Sequence, residues 1–127
     1  MPFYADSVLY QRDIELAGGQ NRVRVELSEW SGSAAEVLLD GKPAAVLAWP
    51  PYAAEFEAGA GRQSIGVRVV STPRNLFGPY HNPTKPRMRA WPAAWADFPE
   101  HQPAGAQYDV LDYGLMAPPR ISVAAVR

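Results

Sequence analysis

At 127 residues the chain is the size of one domain and is long enough to enclose a hydrophobic core. Hydrophobic residues make up 47% and charged residues 20%, with a net charge of −1, which argues against a disordered tail and against a generically basic nucleic-acid binder. The absence of cysteine excludes a disulfide scaffold, a thiolate nucleophile and Cys-ligated zinc or iron–sulfur centres, while 13 prolines and 10 glycines favour strands and turns over long helices.

The first 70 residues alternate with period two. Val8, Tyr10, Arg12, Ile14 and Leu16 share one face of a strand that ends in the turn Ala17-Gly18-Gly19-Gln20-Asn21. Val23, Val25 and Leu27 alternate with Arg22, Arg24 and Glu26, predicting a second strand with one wet face. Residues 36–39 and 42–47 flank Asp40-Gly41, the dipeptide that supplies positive φ in a two-residue hairpin. A short strand over 52–56 follows Pro50-Pro51. After Gly59-Ala60-Gly61 comes another strand, with Ile65, Val67 and Val69 on one face. Six strands are thus expected by residue 70, with Trp30 on a turn or short connection between them.

From Ser71 to Pro119 no periodic run exceeds a few residues, and nine of the 13 prolines fall there with Tyr80, Trp91, Trp95, Phe98, Tyr108 and Tyr113. Rings of this size bury large areas when packed, so the segment reads as an ordered crossing over a β-sandwich, with one helical turn over 90–95. Ile121 and Val123 alternate in a closing strand after Pro118-Pro119. The expectation is a single all-β, antiparallel domain over 1–127, without repeats.

Several segments in this order resemble a known family. They are Ala35-Glu36-Val37-Leu38-Leu39-Asp40-Gly41-Lys42, then Trp49-Pro50-Pro51-Tyr52, then Gly61-Arg62-Gln63-Ser64-Ile65-Gly66-Val67-Arg68-Val69, preceded by Phe3-Tyr4-Ala5 and Val8-Leu9-Tyr10-Gln11-Arg12. The pattern resembles the galactose-binding-like β-sandwich domains attached to bacterial glycoside hydrolases, such as the sugar-binding domain of glycoside hydrolase family 2. Asp40 stands where that family more often has Asn, and Gln63-Ser64 where it usually has Asn. The segments 74–81 and 113–120 are similar to C-terminal accessory domains of uncharacterised glycosidase-like proteins. The resemblance implies a jelly-roll accessory domain whose partners are carbohydrate and the catalytic domain of a parent glycosidase. By analogy it also admits a structural calcium held by backbone carbonyls and Asp6 or Asp40; no other cofactor is expected.

Catalytic chemistry finds little footing. Glu55 and Glu57 would lie on one solvated strand face, Asp109 and Asp112 are near only in sequence, and no nucleophile elbow or phosphate loop is present. His81 and His101, twenty residues apart, lack metal-ligand spacing. A sugar site instead needs an aromatic ring to stack on a pyranose and a few fixed polar groups. Trp49 and Tyr52, held in an extended segment by Pro50-Pro51, supply rings, or serve as core and rim. Arg74, Asn75, Tyr80 and His81 supply polar groups at a strand end, or cap a turn and tie down the crossing.

Between Glu57 and Asp97 there is no acid, while Arg62, Arg68, Arg74, Lys85, Arg87 and Arg89 all fall there. These charges either lie on an acidic face of the same domain or form an anion-binding patch. Nucleic acid and membrane are not expected partners: no stretch approaches the roughly 20 apolar residues of a span, and residues 1–10 lack the regions of a signal peptide. The compartment stays open, since a domain excised from a secreted parent lacks the parent's leader. A purely structural interdomain module is the alternative to a sugar binder.

Overall fold

Every predicted strand that falls within the described residues is present, and each one pairs antiparallel. The computed structural model describes residues 4–77 and 110–126. The chain forms two compact units, one of Asp6–Ser71 with Tyr113–Arg127 and the other of Met1–Ala5 with Thr72–Asp112.

The first unit is all β. Its strands are β1 (Ser7–Leu16), β2 (Asn21–Glu26), β3 (Trp30–Ser31), β4 (Ala34–Leu39), β5 (Lys42–Leu47), β6 (Ala53–Ala58), β7 (Gly61–Val70), β8 (Gly114–Leu115) and β9 (Arg120–Ala125). One sheet has the order β1-β7-β4-β5, a second β6-β2-β9, and β3 and β8 form a two-stranded ribbon. Seven strands precede residue 71 where six were expected. The additional one, β3, is two residues long, too short to leave a periodic trace, and Trp30 therefore belongs to a strand rather than to a turn.

The register explains the alternation. On the inner face of the four-stranded sheet Tyr10 stands opposite Val67, and Val67 opposite Val37; one row along, Val8 faces Val69 and Val69 faces Ala35. In the second sheet Val23 faces Phe56 and Val123, and Val25 faces Ala54 and Ile121. Residues from both sheets meet in one hydrophobic core that includes Val23, Val25, Val37, Leu47, Ile65, Val67 and Val69. Burying such side chains, at about 1.5–3 kcal/mol each, is the main force holding the sheets together.

Turn chemistry sets the connections. Asp40 and Gly41 both have positive φ, 49° and 76°, as a two-residue hairpin with right-handed twist requires. The backbone N–H of Asp40 donates to Ser64 O, and Asp40 Oδ1 accepts the N–H of Ser64, each at 2.8 Å, so the tip of the hairpin is clasped to β7. Pro43 is tolerated because β5 is an edge strand, next to a bulge between Val37 and Leu38. At the β1–β2 turn the buried Asn21 donates its amide to Ala17 O and Gly19 O at 3.0 and 3.2 Å. β6 runs to Ala58, beyond the expected 52–56, because its register with β2 continues to Asn21.

In the second unit the described residues contain one helical turn, Arg74–Phe77. The helical turn expected over 90–95 and the aromatic crossing around it lie outside the described residues. Among the described residues no helix is long and apolar enough to cross a membrane.

Candidate functional site

The segment between β5 and β6 carries the two rings singled out from sequence, and the fold separates their roles. Trp49 is 76% exposed. Tyr52 is half-buried against the core and meets Trp30 edge to face, with ring centroids 5.0 Å apart and an interplanar angle of 87°. Its carbonyl also accepts the N–H of Leu27 at 2.9 Å. The Pro50–Pro51 bond is cis, and the chain bends through 48–51 instead of holding the extended form expected for two prolines. Trp49 is thus presented to solvent, while Tyr52 is turned into structural contacts.

Arg74 and Asn75 lie on the helical turn of the second unit. Asn75 is buried and spends its carboxamide on backbone: Nδ2 donates to Leu111 O at 2.7 Å and Oδ1 accepts the Leu111 N–H at 2.9 Å. Of the two readings open for Asn75, this geometry is the structural one. Tyr80 and His81 lie outside the described residues, as do His101, Asp109, Lys85, Arg87 and Arg89.

Two members of the basic run, Arg62 and Arg68, are paired with acids of their own sheet. Arg62 donates through Nε to Asp13 Oδ2 at 3.1 Å, and Arg68 Nη1 lies 2.6 Å from Glu36 Oε2. The hydrogen bond from Arg62 holds the Asp13 carboxyl below the usual carboxylate range, and Asp13 raises Arg62 in turn. On the other sheet Arg24 Nη1 lies 3.0 Å from Glu55 Oε1, and this contact raises Arg24. Glu55 and Glu57 share the exposed outer face of β6, as the alternation required.

A calcium ion needs six to eight oxygen ligands. Asp6 Oδ1 instead accepts the N–H of Ser7 at 2.7 Å, and Asp40 Oδ1 serves Ser64. Among the described residues no three acidic or histidine side chains converge on a point.

Sequence reasoning did not identify a groove of about 400 Å³ in the β unit. β1 is an edge of the four-stranded sheet and β9 an edge of the three-stranded one. The groove lies between them: Tyr10, Arg12, Ile65 and Val67 line it from the first sheet, and Leu115 to Pro119 and Ile121 from the segment returning into β9. That segment is fixed by the backbone, since the N–H groups of Met116 and Ala117 donate to Glu29 O at 2.9 and 3.2 Å. One signal was legible: Arg12 is the only charged member of the inward row Val8, Tyr10, Arg12, Ile14, Leu16.

Comparison with family models, with curated proteins and with solved structures gives no match for this chain.

Proposed function

We propose that the chain is a non-catalytic accessory module of a glycoside hydrolase-like protein, a jelly-roll sandwich of the galactose-binding-like kind, which recognises a glycan through Trp49. The jelly-roll reading is supported by the path of the chain: among the described residues it crosses between the two sheets from β1 to β2, from β5 to β6 and from β6 to β7, and makes a hairpin within one sheet only at β4–β5.

The observation that carries the functional reading is the exposed indole. A tryptophan left 76% in water between two well-paired strands gains little for the fold, whereas the apolar C–H face of a pyranose stacks well on such a ring. Pro50 restricts the backbone beside it, so little entropy is lost when a ligand immobilises the loop.

Amide chemical shifts followed during titration with galactose, rhamnose, glucose and galacturonate test this reading. Shifts centred on 48–52, abolished in Trp49→Ala while its unfolding free energy stays within about 0.5 kcal/mol of the parent, are the expected result. A flat response to all four sugars would overturn sugar recognition.

The interdomain alternative has its own support. Val46, on the edge strand β5 three residues before Trp49, is 67% exposed, so two large apolar side chains of this stretch are left in water, as a surface covered by a neighbouring domain would be. Shifts of Val46 and Trp49 on adding a catalytic domain, without any response to sugar, would select it.

A further inference from the structure

The groove between β1 and β9 is separate from Trp49, and its chemistry differs from that of a sugar site. Its floor is aliphatic, built from Ile65 and Val67 on β7, Leu115 on β8 and Ile121 on β9. Two neighbouring polar side chains are partly engaged within the fold. Tyr10 Oη accepts the N–H of Leu115 at 3.2 Å, and the Gln11 amide donates to Ser64 Oγ at 2.6 Å. A ring of sugar hydroxyls on this aliphatic floor would lose water and gain few partners.

Arg12 is the exception. It occupies an inward position of β1, directly opposite Ile65, and reaches solvent at the rim of the groove. Its guanidinium is a cation that offers donors only. Arg62 and Arg68, the other arginines of this sheet, each lie against a carboxylate, whereas Arg12 forms no ion pair with any described residue. An apolar trough with an uncompensated, fork-shaped cation at its mouth complements one kind of molecule, an apolar body ending in a carboxylate. The volume lies toward the small end of ligand clefts, roughly 300–1,000 Å³, which suits a medium-length acyl chain or a single aromatic ring.

We propose that this groove binds a small amphipathic carboxylate, with the apolar body on Ile65, Val67, Leu115 and Ile121 and the carboxylate on Arg12. The inference is independent of the sugar reading, and either can fail alone.

The test uses the whole chain, methyl-labelled, titrated at neutral pH with octanoate and separately with 1-octanol, in the parent and in Arg12→Gln. Octanoate is expected to shift the methyl signals of Ile65, Val67, Leu115 and Ile121 and to bind about tenfold more tightly than octanol, the size of one charge-assisted hydrogen bond. Arg12→Gln should remove that preference and leave octanol binding unchanged, and Arg12→Lys should restore part of it. Silence of these methyls toward octanoate would overturn the proposal. So would equal affinity for acid and alcohol in the parent, or a preference that survives in Arg12→Gln.

Discussion

The phenolic oxygen of Tyr10 stands where a β-carbon on residue 114 would have to sit. Gly114 has φ +109°, a value other residues rarely adopt, and a side chain there would collide with the Tyr10 hydroxyl. That hydroxyl also accepts the N–H of Leu115, so one side chain of β1 fixes the place where the chain returns into the β unit more than a hundred residues later.

Gly114→Ala is therefore expected to destabilise the protein by about 2 kcal/mol or more, the sum of a left-handed backbone and a steric clash. Tyr10→Phe alone should cost about 1 kcal/mol by leaving the Leu115 N–H without its acceptor. Combining the two relieves the clash, so urea unfolding of the double variant should show a loss smaller than the sum. Simple additivity would show that backbone strain dominates.

Gly32 meets a different obstacle. A β-carbon on it would stand 2.7 Å from both Val69 Cγ1 and the backbone oxygen of Val70. The carbonyl belongs to a paired strand and cannot move cheaply, so Gly32→Ala should cost about 1–3 kcal/mol. Gly59 has no heavy atom within 4 Å of such a carbon, and Gly59→Ala should be close to neutral in the same thermal or urea melt.

Asn21 is 2% exposed and donates to two carbonyls of its own turn. Asn21→Ala should cost about 1–3 kcal/mol, because both acceptors lose their partner. Asn21→Asp should be worse at neutral pH, since it sets a carboxylate against those same carbonyls, and should recover toward the alanine variant as acid protonates it.

Asp13 titrates below the ordinary carboxylate range because Arg62 donates to it. A lowered folded pKa means that the pair's contribution is fully present above the unfolded value of about 3.9 and is lost as pH falls through the folded one. Side-chain carboxyl NMR should show Asp13 titrating late on acidification, and Arg62→Gln should return it toward the ordinary value. An unchanged Asp13 titration in that variant would show that Ser64, the other hydrogen-bonding neighbour, holds it.

The alternation of Val23, Val25 and Leu27, the row from Val8 to Leu16 and the Asp40-Gly41 turn were legible in sequence, because burial of one sheet face imposes period two and a two-residue hairpin demands positive φ. The ribbon of β3 and β8 was not, since two-residue strands carry no period and their pairing joins residues 30 and 115. Trp49 and Tyr52 were equivalent as letters three apart; the T-shaped contact with Trp30 decided which ring is spent on the core. Arg12 was visible as a charge in an apolar row, but the groove it borders exists only where the edges of two sheets face each other. Local chemistry thus determined where this chain is extended and where it turns. Which side chains are left over for a ligand was decided by tertiary structure, because a partner distant in sequence must arrive before a polar or aromatic group counts as satisfied.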